Sequence, residues 1–373
     1  MTKLPPISVL LVSAIFLVAC NLRKDTDFPK ENRGKYTVEY VRIPVNRQAN
    51  VRLSAETADD INHPSGKHQT SGCYSDSRQA PLSFVSAYLL LPADRPAGGS
   101  PGIVLFHDHG ARFTIGKEKM VRPLSLFPSD SCNALLQEEA QQWVDKFYDG
   151  MFIGDSLAAH GYAVLVPDAL GWGERMFQAD SFPAFNNRLF GDSLKHLNKQ
   201  IRNSQPLLYL HHLDKTGETW FETILADDNT AFQWLADRPE VDAERIGVVG
   251  FSMGAYRAWN LAAENHHISW CAAANWMTTL EANGGPTPNE SSWSMYRPML
   301  DSVDYPEIAT RITCPFLLIY GSEDPLFSEE SVLQAAKQIS NPSFTLKRVE
   351  SAHRFTTEHL NAVFRFSDKQ SVR

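Results

Sequence analysis

A serine at position 252 stands in the sequence setting that turns a hydroxyl group into a nucleophile. The segment RIGVVGFSMGAYRAWNLAA contains Gly250-Phe251-Ser252-Met253-Gly254, a G-x-S-x-G pattern between an apolar run and a helical pattern. A tight turn from strand to helix exposes the serine Oγ, and the flanking glycines leave room for that turn. The pattern alone is weak evidence, but the strand-turn-helix context predicts that Ser252 attacks a carbonyl carbon.

A serine nucleophile needs a base and a group that orients the base, and candidates for both follow Ser252. The apolar run PFLLIYG leads into SEDP, which contains Asp324, and the next run, FTLKRVE, leads into SAHRF, which contains His353. Taken singly, Asp324 could be a helix N-cap and His353 a surface residue. Their order after consecutive strands favours a Ser-His-Asp arrangement, with Glu323 as the alternative acid.

Two histidines flank a carboxylate at His107-Asp108-His109, directly after the apolar run GIVLF. A metal site that began here would need further ligands after later strands. The remaining candidates do not form a recognisable ligand set; they are His160, Asp168, His211, His212, His266 and His267. Ala111 and Arg112 also stand where an H-x-H-x-D-H metal pattern needs Asp and His. We therefore predict no metal and no other cofactor, and a loop at a strand end.

Short apolar runs alternate with helical patterns along most of the chain. The runs are VSAYLLLP, GIVLFH, YAVLVPD, RIGVVGFS, ISWCAAANW, PFLLIYG and FTLKRVE. Because they are apolar throughout, we expect strands buried on both faces of a mostly parallel sheet. The alternation predicts an α/β fold with about eight strands and helices on both faces. Two earlier segments, YTVEYVRIPVN and NVRLSAET, predict antiparallel strands at one edge of the sheet.

Two stretches, 172–218 and 277–305, are long for connections between a strand and a helix. Both carry aromatic residues, which are Trp172, Phe177, Phe182, Phe185 and Phe190 in the first and Trp293 and Tyr296 in the second. Insertions of this kind form lids over a site, or their aromatic side chains pack them onto the domain, and the sequence favours neither. No repeat or flexible linker is evident, so we predict one domain over 36–373.

The N-terminal segment has the pattern of an export signal. Lys3 precedes an apolar run over 7–18 that is short for a membrane span, and the LVAC motif ending at Cys20 resembles the lipobox of bacterial lipoproteins. We expect a signal peptide over 1–19, lipidation of Cys20 and a tether over 20–35. An uncleaved anchor helix or an ordinary signal peptide is the alternative. The expected location is the bacterial cell envelope, with the protein lipid-anchored and in the outer membrane or facing the periplasm.

Composition predicts a globular protein, because 43% of the 373 residues are hydrophobic and 21% are charged. The formal net charge is -8, and it becomes -9 once Lys3 is removed. The charges are scattered, so no basic patch suits nucleic acid or an anionic membrane surface. We expect a small-molecule or polysaccharide partner, no nucleic acid, and a membrane contact through the lipid anchor only.

Export also permits disulfide bonds. Cys73 and Cys132 lie in polar stretches, and a bond between them is our hypothesis. Cys271 and Cys314 lie in apolar runs, where cysteine is usually a buried hydrophobic residue, so we predict that both are unpaired.

Together, the motifs GFSMG, GSEDP and SAHRF resemble those of α/β-hydrolases in the dienelactone hydrolase and acetyl xylan esterase-like group, over about residues 80–366. HDHGARFTIGKEKM and PDALGWGERM resemble a branch of carbohydrate acetyl esterases, a looser match that says little about substrate. Gly254-Ala255 stands where many relatives have two glycines. The resemblance implies an oxyanion hole in which Met253 supplies one backbone amide and the HDHG loop supplies the other, from His109 or Ala111.

These residues predict a carboxylic ester hydrolase that works through an acyl-enzyme, with a carbohydrate acetyl esterase as the narrower expectation. A serine peptidase on the same fold is one alternative, although peptidases of the prolyl oligopeptidase type usually carry a large N-terminal propeller. Here only about 60 residues precede the expected core. A non-catalytic surface-binding lipoprotein is the other alternative, and the complete Ser-His-Asp set argues against it.

Overall fold

One sheet positions all the candidate catalytic residues. The structure is a computed structural model that describes residues 28–45, 84–127, 130–176, 192–282 and 303–371. Within these ranges the strands are β1 Lys30–Asn32, β2 Tyr36–Pro44, β3 Phe84–Pro92, β4 Ser100–Phe106, β5 Ala163–Pro167, β6 Val241–Phe251, β7 Trp270–Ala274, β8 Phe316–Gly321 and β9 Phe344–Val349. They form a single sheet in the order β1-β2-β3-β5-β4-β6-β7-β8-β9.

The sheet is parallel from β5 to β9 and antiparallel at the other edge. Strands β5, β7 and β8 are buried at every position, whereas β2 alternates between buried and partly exposed residues. The continuous apolar runs therefore form inner strands, and the alternating segment YTVEYVRIP forms an antiparallel strand near the edge. Both predictions are confirmed except for the run FTLKRVE, which forms β9. This strand is mostly partly exposed or exposed, because it lies at the edge of the sheet.

Helices cover both faces of the sheet. The α-helices of the described residues are α1 Asp130–Phe147, α2 Ile153–Ala159, α3 Asp192–Thr216, α4 Trp220–Ala236, α5 Met253–Glu264, α6 Tyr305–Ala309, α7 Glu329–Ala336 and α8 Thr357–Ser371, with 3-10 turns at Lys117–Lys119 and Gly173–Arg175. Strand β4 shows how the two cores form, because Val104 and Phe106 pack on one face and Ile103 and Leu105 on the other. The predicted α/β architecture is confirmed.

The structure contains two elements that the sequence analysis did not predict. Strand β1 lies inside the predicted tether over 20–35 and makes a ninth strand where about eight were expected. Its residues are exposed and polar, so no hydrophobic pattern marks it, and it forms by pairing with β2. The predicted insertion 172–218 contains the 25-residue helix α3. Pro206 lies within this helix, and a proline there argues against a helix when only the sequence is read.

Several predictions fall outside the described residues, among them the signal peptide, Cys20, the NVRLSAET strand and most of the insertion aromatics. No helix in the described ranges combines the length and apolarity needed to cross a membrane. Cys271 and Cys314 are free, as predicted. Cys132 is buried in α1 and disulfide-bonded. Because Cys73 lies outside the described residues, its pairing with Cys132 stays a prediction.

Candidate active site

Ser252 sits at the sharp turn between β6 and α5. Its backbone has φ 56° and ψ -123°, a conformation that L-residues rarely adopt and that costs on the order of 1–3 kcal/mol. The turn is held by the amide of Ser252, which donates to the carbonyl of Ala274 at 2.9 Å. The Ser252 side chain remains at the mouth of the site, since the residue is 9% exposed.

The two glycines of the G-x-S-x-G pattern are required by close backbone contacts. A Cβ at Gly250 would collide with the carbonyl of Gly254, which closes the turn on itself. A Cβ at Gly254 would collide with the carbonyl of Phe106, at the end of β4, and would lie 2.9 Å from the carbonyl of His107. These contacts press the start of α5 against the loop that follows β4.

His353 lies between the serine and a carboxylate. Its Nε2 is 2.8 Å from Ser252 Oγ, and its Nδ1 is 2.7 Å from Asp324 Oδ2. The imidazole packs beside the rings of Phe251 and Phe327, with centroid distances of 5.1 and 5.9 Å. A proton on Nδ1 directed at the carboxylate leaves Nε2 free to accept the serine proton.

Asp324 is fixed by further hydrogen bonds and is 6% exposed. Its Oδ1 accepts from the backbone amides of Leu326 at 2.8 Å and Phe327 at 3.2 Å. Its Oδ2, which faces His353, also accepts from Asn275 Nδ2 at 3.1 Å. The alternative acid Glu323 has an exposed side chain. The carboxylate that contacts the histidine is therefore that of Asp324.

A neutral hydrogen-bonded chain lies behind Asp324. Asn275, at the end of β7, has φ 56°, and its Oδ1 lies 3.0 Å from Nε2 of the buried His359. The amide of Thr356 donates to Nδ1 of the same ring at 3.1 Å, so the ring proton is on Nε2 and points at Asn275. Burial lowers the pKa of His359 from 6.5 to about 4, which keeps the ring neutral.

The loop after β4 lies next to the serine turn. An amide that binds the oxyanion must not already donate to another group. Within the described chain, neither the Met253 amide nor the His109 amide has a backbone acceptor. The Ala111 amide instead donates to His109 Nδ1 at 3.0 Å and is engaged within the loop. Of the two loop residues singled out from the sequence, the geometry favours His109.

His107 and Asp108 hold this loop from behind. His107 is fully buried; its Nδ1 lies 2.9 Å from the Asp108 carbonyl, and its Nε2 accepts from the Ala169 amide at 3.1 Å. Asp108 Oδ1 accepts hydrogen bonds from Trp143 Nε1 and from the Tyr148 hydroxyl. The His-Asp-His segment therefore uses its side chains to brace backbone.

The imidazole of His109 packs inside the protein. Its ring meets Trp172 edge-on at 5.0 Å, and Trp172 Nε1 donates to the His109 carbonyl at 3.1 Å. Its Nε2 lies 3.0 Å from the side-chain amide of Gln205, on α3 of the first insertion. Burial lowers the pKa of His109 to about 3, so the ring is neutral. Trp172 thus packs the insertion onto the oxyanion loop.

Three of the other residues considered for a metal site have separate partners. Asp168 pairs with Lys117 at 2.8 Å, His160 with Asp368 at 3.2 Å, and His212 with Thr223 at 2.8 Å. No group of three or more metal-ligating side chains was found among the described residues.

Three contributors to the site were missed by sequence reasoning. Asn275 and His359 support the carboxylate, and Lys119 is buried behind the oxyanion loop. Asn275 could have been suspected because it directly follows β7 at the edge where strand ends carry the site. Lys119 in KEKM has no such signal, since lysine in a polar segment is normally exposed.

The mostly parallel sheet, the serine turn after β6 and the histidine loop after β9 define an α/β-hydrolase fold. Residues 144–368 match the model of the dienelactone hydrolase family. This region is more than half of the chain and contains Ser252, Asp324 and His353. The protein belongs to the dienelactone hydrolase family.

One curated protein matches this chain at low sequence identity. The Bacillus subtilis (strain 168) protein named "Putative hydrolase YtaP" is 24% identical over 185 residues, which are 50% of this chain and 46% of that protein. The chain thus matches about half the length of this curated relative.

Two solved structures share the fold at low sequence identity. Glucuronoyl Esterase from Solibacter usitatus has a TM-score of 0.50 at 14% identity, covering 95% of this chain and 88% of its own. Methylesterase BT1017 has a TM-score of 0.51 at 15% identity, covering 91% of this chain and 56% of its own.

Proposed function

We propose that this protein is a serine carboxylic ester hydrolase. The observation that carries the proposal is the continuous line of contacts from Ser252 Oγ through His353 to Asp324, at 2.8 and 2.7 Å. The strained backbone of Ser252 and the amide of Met253, which has no backbone acceptor in the described ranges, add a nucleophile and an oxyanion donor at one place. Membership of a hydrolase family supports the same reaction class.

In the first step, Ser252 Oγ attacks the ester carbonyl while His353 Nε2 takes its proton. Asp324 holds the imidazole by its Nδ1 proton and stabilises the imidazolium that forms. The carbonyl oxygen becomes an oxyanion, which the backbone amides of Met253 and His109 bind. His353 then protonates the departing alcohol, and the acyl group remains on the serine.

In the second step, His353 activates a water molecule that attacks the acyl-serine carbonyl. The same two amides bind the second oxyanion, and collapse of this intermediate frees the carboxylic acid. The proton held by His353 returns to Ser252 Oγ. All the groups that these steps use come from the chain itself and from water.

The test is the substitution Ser252→Ala in the soluble protein that starts at residue 21. We expect loss of p-nitrophenyl acetate hydrolysis by a factor of at least about 10³ and loss of labelling by a fluorophosphonate. Ser269→Ala is the matched control. Ser269 directly precedes β7, at the end of this strand far from Asn275, and the described part of the chain gives its hydroxyl one hydrogen bond, to the Ile246 carbonyl. Activity retained by Ser252→Ala would overturn the proposal.

We propose further that the natural substrate is an ester on a carbohydrate. The support is the resemblance of HDHGARFTIGKEKM and PDALGWGERM to carbohydrate acetyl esterases, together with structural neighbours named as glucuronoyl and methyl esterases. A panel of acetylated xylo-oligosaccharides, a methyl glucuronate and plain aryl acetates tests this. The carbohydrate esters should be cleaved with the highest kcat/KM, and a preference for the plain aryl acetates would contradict the proposal.

We also propose that Cys20 carries a lipid and holds the protein at the bacterial cell envelope. The support is the LVAC motif after an apolar run of signal-peptide length. In cells fed a radiolabelled fatty acid, the full chain should take up label and Cys20→Ser should not. Equal labelling of both would overturn it.

A further inference from the structure

Lys119 is a fully buried lysine that lies behind the candidate oxyanion loop. Its Nζ donates to the backbone carbonyls of Asp108 at 2.8 Å and His109 at 3.0 Å, and lies 3.6 Å from Asp108 Oδ2. The ammonium also lies 5.2 Å from the centre of the Trp143 ring. A buried charge is rare unless it has a specific partner, and here two of the three polar contacts are backbone carbonyls.

The direction of these carbonyls fixes the direction of the neighbouring amides. All peptide bonds in the described chain are trans, so each N–H points opposite to the C=O of its own peptide unit. The Asp108 carbonyl points at Lys119, which turns the His109 amide to the other side. The His107 carbonyl lies close to Gly254, two residues after Ser252. The His109 amide therefore points away from Lys119, in a loop that lies against the Ser252 turn.

We propose that Lys119 is a positioning residue of the oxyanion hole, which holds the Asp108 and His109 carbonyls and thereby presents the His109 amide to the reacting carbonyl oxygen. This inference rests on the proposed function. A carbonyl that accepts a bond from an ammonium is polarised, and its peptide N–H becomes a stronger donor. The positive charge also favours the oxyanion through a medium of low dielectric constant.

A second buried lysine gives an internal comparison. Lys117 is two residues away in the same 3-10 turn and is also fully buried. Its Nζ contacts three carboxylates, those of Asp168 and Glu174 at 2.8 Å and of Glu118 at 3.2 Å. Lys117 is therefore paired by side chains, whereas Lys119 is bound mainly by the loop backbone. A role in stability alone predicts similar behaviour for both lysines, and a role in the oxyanion hole does not.

The charge of Lys119 is itself sensitive to pH. Burial lowers the pKa of Lys119 from 10.5 to about 8. The ionisable groups that face it are Asp108, Arg112, Glu139 and the neutral rings of His107 and His109. The unfolded chain keeps this proton up to higher pH than the folded protein does. Titration of Lys119 therefore makes the free energy of unfolding increase as the pH rises from about 8 to 10.5. Catalysis should fall over the same range, so the two measurements move in opposite directions.

The principal experiment compares Lys119→Met with wild type on an aryl acetate. We expect kcat to fall about 10- to 100-fold with KM changed less than about twofold, because the oxyanion exists only in the transition state. The affinity for a trifluoromethyl ketone, which forms a tetrahedral adduct with the serine, should fall by the same factor. Lys117→Met, measured on the folded fraction, should keep kcat within about threefold of wild type.

If Lys119→Met does not fold, the kcat of Lys119→Gln and the pH dependence of wild-type kcat test the inference instead. Glutamine keeps two N–H donors without the charge, so kcat should be intermediate and flat from pH 7 to 10. Wild-type kcat should decline above about pH 8 while the protein remains folded. A wild-type kcat near pH 7 in either Lys119 variant would overturn the inference. If Ser252→Ala abolishes activity in the same assays, the proposed ester hydrolase function stands even when the Lys119 inference fails.

Discussion

The two halves of the candidate site are held in different ways. On the acid side, Asp324 is fixed by two backbone amides and by Asn275, which in turn meets the neutral ring of His359. On the oxyanion side, the loop is fixed by the buried ions Lys119 and Asp108. Each of these hydrogen bonds comes from a neutral donor, and one can be removed while the others remain. Buried ions depend on one another, because removing one leaves the other unpaired.

The largest expected effect is on the charged side, from Asp108→Ala. This change leaves Lys119 without its carboxylate and removes the acceptor of Trp143 Nε1 and the Tyr148 hydroxyl. The free energy of unfolding should fall by about 3–5 kcal/mol, the usual effect of breaking a buried ion pair. Urea denaturation measures it. Asp108→Asn keeps an acceptor at the Oδ1 position, so its loss should be smaller; equal losses would contradict the importance of that acceptor.

Acidification tests the neutral side. The folded protein keeps His359 unprotonated down to about pH 4, whereas the unfolded chain binds a proton near pH 6.5. The free energy of unfolding should therefore decrease as the pH falls through this window, by about 3 kcal/mol from this residue. Unfolding measured at several pH values should give a shallower slope for His359→Gln than for wild type. The exposed-site variant His160→Gln serves as the control, and an unchanged slope in His359→Gln would refute the prediction.

The smallest expected effect is on catalysis, from Asn275→Gly. Glycine accepts the positive φ of this position, so the change removes the amide without adding backbone strain. Asp324 then loses one donor out of four, and kcat should fall about 10-fold with little change in KM, which corresponds to about 1–1.5 kcal/mol. Steady-state kinetics measures it. Asn265 follows the end of α5 that is far from Ser252, and its side chain contacts Asn229. The control variant Asn265→Ala should leave kcat unchanged. A fall in stability with no fall in kcat would show that Asn275 only supports the fold.

The comparison also explains what the sequence could predict. Ser252, Asp324 and His353 follow β6, β8 and β9, and the structure brings them together because the ends of parallel strands meet at one edge. Local patterns mark each strand, so the position of these three residues follows from the motifs and their order. The His-Asp-His segment was likewise predicted to follow a strand, and it follows β4.

The supporting residues could not be predicted in the same way. Lys119 contacts the loop ten residues before it only because the segment between them folds back, and no local pattern encodes that path. Its burial contradicts the ordinary expectation for lysine. His359 lies on α8, where an apolar helix face predicts burial but not a partner across the core. Such contacts depend on tertiary packing, which cannot be predicted from a local sequence pattern.

The alignment of β4 with β6 fixes the loop after β4 independently of the two long connections. Phe106 is paired with Gly250, so the register of two adjacent strands fixes the loop donor relative to the serine. The segments 177–191 and 283–302 follow β5 and β7 and interrupt neither of those two strands. A change in the length of either connection therefore leaves the register between β4 and β6 unaltered, and with it the position of the loop after β4 relative to Ser252.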